Sequence, residues 1–92
     1  MSTGTATAIV TGGSGWLGRR LVRALRHGLP EVPALAAPDE RPVRCLVVGD
    51  GDRERVRASD ARAACIEGDL TSGAGLDALF ADARGATVFH CA

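Results

Sequence analysis

The 92-residue chain contains no lysine, tyrosine, asparagine or glutamine. Without lysine, the Gly-Lys-Ser/Thr ending of a Walker-type phosphate loop cannot be built, so that class of nucleotide site is excluded. Aromatic residues make up only 3% of a chain that is 46% hydrophobic, so the core must come from Ala, Val, Leu and Ile. Neither sign of charge prevails, with 11 basic and 11 acidic residues, and all the basic ones are arginine. A neutral chain gives no electrostatic case for nucleic acid or an anionic membrane. No apolar run approaches the ~18 residues of a membrane span. No basic region precedes the apolar residues near Met1, so no signal peptide is expected and the location is read as cytoplasmic. The three cysteines, Cys45, Cys65 and Cys91, are odd in number, widely spaced and without a Cys-x-x-Cys pair. They predict neither a disulfide framework nor a metal site, but buried reduced thiols in strand-like stretches.

What is present is an alternation of short apolar runs and helical patterns. Residues 5–11, "TATAIVT", read as a strand buried on both faces. From Ser14 to His27 the period becomes helical, with Leu17, Leu21, Val22, Ala24 and Leu25 on one face and Arg19, Arg20, Arg23 and Arg26 mostly on the other, solvated face. Gly28 and Pro30 stop that helix. Residues 29–42 hold all four prolines and read as a loop without an element of its own, longer than the usual ~2–6-residue connection. "VRCLVV" (43–48) predicts a second strand, and "GDGDRERVRASD" a turn running into a short polar helix. "AACIEGD" (63–69) predicts a third strand. Thr71 or Ser72 then caps a helix through residues 75–83, with Leu76, Leu79 and Phe80 inward, ended by Gly85. "TVFHCA" (87–92) predicts the fourth strand. The order β-α-β-α-β-α-β predicts an α/β fold: a Rossmann-type parallel sheet of about four strands with right-handed crossovers.

Four of the 12 glycines fall within residues 12–18, between the first strand and the first helix. A helix N-terminus presents unpaired N–H groups and the positive end of the dipole, and glycines let an anion approach the backbone. In Gly12-x-x-Gly15-x-x-Gly18, Gly12 makes the tight turn off the strand. Gly15 lets a pyrophosphate lie against the backbone, and Gly18 lets the helix pack close to the sheet. The backbone N–H groups of Trp16 and Leu17 are the expected anion donors, while the Trp16 side chain is read as packing beside the loop. The strand-then-helix context is what this spacing needs to carry meaning.

"VTGGSGWLG" resembles the Thr-Gly-x-x-Gly-x-x-Gly fingerprint of extended short-chain dehydrogenases/reductases, a group that includes NAD-dependent epimerases/dehydratases and 3β-hydroxysteroid dehydrogenases. "EGDL" (67–70) resembles the family's Gly-Asp-Leu segment after the third strand, and "TVFHCA" its fourth-strand segment, in a form like the sterol and 3β-hydroxysteroid branch. The proline-rich loop is longer than the family's connection. The resemblance implies that Gly12, Gly15 and Gly18 hold the pyrophosphate loop. It implies that Asp69 hydrogen-bonds the adenine amino group while Leu70 packs on the adenine ring. It places Cys91 and Ala92 along the cofactor, with His90 just before them in the strand. The cofactor is NAD or NADP. An acidic residue at the end of the second strand reads the ribose 2′-OH, and an arginine there accepts the 2′-phosphate. Val47 and Val48 match neither, Asp50 reaches the ribose if the strand runs one turn longer, and Arg53 or Arg55 could fold back onto a phosphate, so the choice stays open.

The family's chemistry uses a Tyr-x-x-x-Lys pair, the tyrosine exchanging a proton with the substrate oxygen and the lysine lowering its pKa. Neither residue type occurs here, so no catalytic residue is assigned. Residues 1–92 are accordingly read as the N-terminal part of a dinucleotide-binding Rossmann domain, with the catalytic and substrate-binding part absent. The expected parent transfers hydride between the cofactor and an alcohol or ketone, sterol-like or sugar-like, and a homodimer of that parent is left open. The alternative is a non-catalytic dinucleotide-binding regulator or redox sensor of the atypical short-chain dehydrogenase type.

Overall fold

The computed structural model describes residues 6–38, 40–71 and 73–92. Four strands, β1 (Ala8–Thr11), β2 (Val43–Val47), β3 (Ala64–Glu67) and β4 (Thr87–His90), alternate with three α-helices, α1 (Trp16–His27), α2 (Gly49–Ser59) and α3 (Gly73–Leu79). All pairings are parallel and the strand order is β3-β2-β1-β4. This is a partial Rossmann-type α/β fold. The chain steps outward from β1 to β2 and β3, then crosses back to place β4 on the other side of β1. The reversal at β1 is the topological switch point, where ligands of such sheets bind beyond the carboxyl ends of the strands.

Strand alternation sorts the side chains between two faces. Ala8 and Val10 of β1 and Val43, Cys45 and Val47 of β2 join Val22 of α1, Val56 of α2 and Ala63 in one buried cluster. The intervening residues face the other way: Ile9 is fully buried outside that cluster, and Arg44 reaches α3. The Arg44 guanidinium donates to the carbonyls of Leu79 at 3.0 Å and Ala81 at 2.5 Å, so a positive charge stands at the negative end of α3. All four residues of β1 are buried, as a central parallel strand requires.

Several local expectations are corrected. Arg26 is not on a solvated face. It is buried and stands 3.0 Å from Asp60, with side-chain exposures of 6% and 1%. The angle of that contact misses a hydrogen bond, so the two are held as an ion pair. Asp60 also receives the backbone N–H of Arg62 at 3.0 Å. Leu17 is exposed rather than part of the apolar face. Phe80 is exposed because α3 ends at Leu79, short of residue 83, while Leu79 itself is fully buried. The proline-rich loop contains a 3-10 turn at Pro33–Leu35, closed by the Leu29 N–H donating to the Leu35 carbonyl at 2.7 Å. α1 begins at Trp16 rather than Ser14, and α2 starts at Gly49 with no preceding turn. Thr5 and Ser72 lie outside the described residues. Only Cys45 is fully buried; Cys65 and Cys91 are partly exposed.

The Arg26–Asp60 pair ties α1 to the segment between α2 and β3. Breaking a buried ion pair by removing one of its members costs roughly 3–5 kcal/mol. Asp60→Ala is therefore expected to lower the urea midpoint sharply, whereas Arg62→Ala, which removes an exposed side chain, leaves it nearly unchanged. Equal midpoints for wild type and Asp60→Ala would show that the pair contributes nothing.

Candidate functional site

A cleft of about 410 Å³ opens at the carboxyl ends of the strands. Its walls come from every strand end: Thr11, Gly12 and Ser14 after β1, Leu46, Val48 and Asp52 from β2 and the start of α2, Gly68 to Thr71 after β3, and Ala92 after β4. A larger apolar hollow of about 580 Å³ lies between α1, the proline-rich loop and Phe89, but it contains none of the glycine loop.

The glycine loop is shaped by close approaches that a side chain would block. Gly12 has φ +73°, and a Cβ there would lie 2.6 Å from the Ala92 nitrogen and the Cys91 carbonyl carbon. The turn off β1 is thus pressed against the end of β4. A Cβ on Gly18 would stand 1.9 Å from the Gly12 carbonyl oxygen, so α1 packs directly on the turn. Gly15 differs. Its φ of −76° suits any residue, and its Cβ would meet only the Gly12 oxygen, at 3.5 Å. The space over Gly15 is open, a cradle that a side chain would fill. Gly15 is also the N-cap of α1, with no side-chain cap bond and no acidic residue in the first turn. The first N–H groups of a helix have no partner within it. Among the described residues no side-chain cap and no first-turn carboxylate compensates the positive end of α1, which fits an anion.

The N-terminus of α2 is the opposite case. The Asp52 carboxylate accepts the Val48 N–H at 2.9 Å, and the Glu67 carboxylate accepts the Gly49 N–H at 3.3 Å. Glu67 also pairs with Arg53, and Asp52 with Arg55.

Among the residues singled out from sequence, Gly12, Asp69, Leu70 and Ala92 line the cleft. Gly15, Leu17 and Gly18 do not line it; they follow Ser14, which does, at the N-cap and in the first turn of α1. Asp69 is set by a tight turn: its Oδ1 accepts both the backbone N–H and the hydroxyl of Thr71. The Trp16 side chain is 74% exposed and lies with Arg19, Arg20 and Arg23 away from the cleft. Cys91 does not line it, although its N–H donates to Thr11. Asp50 is exposed and outside the cleft, and Asp52, two residues on, lines it instead. The helical period explains the exchange: α2 starts at Gly49, so residue 52 lies one turn on and points back over the strand end. Thr11, Leu46 and Val48 were not legible as wall residues, because only strand order brings them together. The Thr11 hydroxyl and His90 Nδ1 share a hydrogen bond of 2.6 Å, which fastens β4 to β1 beside the cleft and gives His90 a structural partner.

Beneath the loop lies Cys45, whose sulfur would stand 3.3 Å from a Cβ on Gly13. Burial, with smaller contributions from Cys65 and Asp60, pushes its thiol up from the ordinary 9.0 to about 12. Deprotonation is thus disfavoured in the folded state. As pH rises above about 9 the unfolded chain loses this proton and the folded chain keeps it, so stability falls between about pH 9 and about pH 12. At pH 8, iodoacetamide is expected to label Cys65 and Cys91 in the native protein while sparing Cys45, and to label all three in urea. Equal native rates at the three thiols would contradict the burial of Cys45.

Among the described residues no helix is long and apolar enough to cross a membrane, and no cluster of three or more His, Cys, Asp or Glu could hold a metal ion. The family model that matches the sequence is that of the NAD-dependent epimerase/dehydratase family, over residues 8–92. The uncharacterized protein y4nL of Sinorhizobium fredii (strain NBRC 101917 / NGR234) is 38% identical over 84 residues, which are 91% of this chain and 23% of that protein. The chain thus spans about a quarter of the length of the relative it matches. With its match covering nearly the whole sequence, the chain belongs to the NAD-dependent epimerase/dehydratase family, and membership implies a nicotinamide cofactor.

Proposed function

We propose that this chain is the cofactor-binding N-terminal portion of an NAD(P)-dependent oxidoreductase acting on an alcohol or ketone, sterol-like or sugar-like. The observation that carries the reading is the uncapped start of α1, fronted by an open Gly15 and placed at the switch-point cleft. The bound dinucleotide supplies the hydride chemistry. The chain's residues bind and orient it: Gly12, Gly15 and Gly18 shape the cradle, and the N–H groups of Trp16 and Leu17 hold the pyrophosphate. Asp69 accepts from the adenine amino group, Leu70 covers the ring, and Ala92, which lines the cleft as Cys91 does not, lies along the cofactor after the end of β4. The tyrosine and lysine that move the substrate proton in this family do not occur in these 92 residues, and we assign them to the remainder of a longer protein.

Titration with NADH and NADPH, followed by cofactor fluorescence, tests the reading. Saturable binding of one of them, with no alcohol dehydrogenase turnover by the 92-residue chain, is the expected result. Binding of neither overturns the assignment of the cleft. Turnover overturns the assignment of the catalytic residues to sequence elsewhere.

A further inference from the structure

We propose that Glu67 and Asp52 make this site selective for NAD over NADP by holding Arg53 and Arg55 in internal ion pairs, an inference that rests on the cleft binding a dinucleotide. The adenosine ribose of a dinucleotide lies by the end of the second strand, and a basic residue there accepts the 2′-phosphate. In this chain β2 ends at Val47, and the corner beyond it is the start of α2. Two arginines stand there, and each is already engaged. Arg53 pairs with Glu67, which comes from the end of β3 and also takes the Gly49 N–H. Arg55 pairs with Asp52 at 3.3 Å, and Asp52 also takes the Val48 N–H. The groups that would grip a phosphate, two backbone N–H groups and two guanidinium groups, are thus met by two carboxylates of the chain. Asp52 itself lines the cleft, and Glu67 is followed directly by Gly68, which lines it too.

These ion pairs are exposed, and such pairs add little to stability. Their effect on a phosphate is different, because the carboxylate charges remain beside any group that enters. Asp50 and Asp52 at the start of α2 and Glu67 at the end of β3 stand by Arg53 and Arg55, with Glu54 and Arg57 also on the helix. A 2′-phosphate, itself carrying nearly two negative charges, would have to displace a carboxylate and then sit among the others. A ribose 2′-hydroxyl meets no such repulsion and can donate to Asp52. The uncapped start of α1 and the neutralised start of α2 divide the work: one receives the pyrophosphate and the other rejects an additional phosphate.

The test uses 5′-AMP and 2′,5′-ADP, which differ by that one phosphate, alongside NADH and NADPH. Wild type is expected to bind NADH more tightly than NADPH, and 5′-AMP at least as tightly as 2′,5′-ADP. Glu67→Gln keeps an oxygen for the Gly49 N–H but releases Arg53. It should tighten 2′,5′-ADP about tenfold, the worth of one charge-assisted hydrogen bond, and leave 5′-AMP unchanged. Adding Arg53→Ala to Glu67→Gln should remove the gain, which a merely structural role for Glu67 would not produce. Asp52→Asn is the independent second variant, releasing Arg55, with circular dichroism verifying the fold of each. A wild type that favours NADPH and 2′,5′-ADP overturns the inference. So does an unchanged ratio in both Glu67→Gln and Asp52→Asn while NADH still binds, a result that leaves the proposed function standing. Failure of both NADH and NADPH to bind wild type overturns the proposed function and the inference together.

Discussion

Gly15→Val is expected to abolish dinucleotide binding while leaving the protein folded. The backbone at residue 15 has φ −76° and ψ 171°, an extended conformation that valine adopts readily. The added Cβ meets only the Gly12 oxygen, at an ordinary 3.5 Å. No steric contact in the fold resists the substitution, and the less favourable N-cap is a small cost. The methyl groups instead project into the space above the start of α1, the proposed site of the pyrophosphate on the N–H groups of Trp16 and Leu17. Losing two charge-assisted hydrogen bonds of about 1.5–3 kcal/mol each weakens binding by at least about a hundredfold. Titration with NADH and NADPH and a parallel urea curve make the two halves of the expectation separable. Unchanged affinity for the preferred cofactor would show that the cradle is not where the phosphates bind.

The same substitution three residues later has the opposite signature. In Gly18→Val the Cβ would stand 1.9 Å from the Gly12 carbonyl oxygen, 2.7 Å from its carbon and 2.8 Å from the Gly13 Cα. All three are backbone atoms, so no rotamer change relieves the clash. Either α1 must lift from the turn or the turn must leave β1, and Val22, fully buried on α1, would come out of the core with the helix. Domains of this length hold only about 5–14 kcal/mol of stability, and overpacking that moves backbone removes a large share of it. No cooperative urea transition is expected for this variant at 25 °C. A wild-type midpoint would mean that the helix and turn are not packed this closely.

These two glycines also show how far the sequence could be read. Their spacing between a strand pattern and a helix pattern was enough to locate the loop, because a chain needs φ freedom and close approach wherever a strand turns directly into a helix. It did not distinguish the glycine that keeps space open from the one that closes it, since both are written as the same letter. Arg26 was misread for a related reason. Its helical position borders the polar face, and only the placement of Asp60, 34 residues away in the chain, makes that position an interior ion pair. The exposure of Phe80 depended on where α3 stops, which no cap residue signalled. Asp52 rather than Asp50 lines the cleft because α2 starts at Gly49 without a turn, a shift that reorients every side chain after it.

The sequence by itself determined the α/β alternation, the burial of β1, the site of the glycine loop and the absence of a tyrosine–lysine pair. Each follows from local properties: hydrophobic period, backbone freedom and the presence or absence of a residue type. The tertiary structure alone decided which strand ends share a wall, which arginines are already paired, and which helix start is left open to an anion. Those depend on residues far apart in the chain meeting at the end of a parallel sheet, and the strand order β3-β2-β1-β4 is what brings them together.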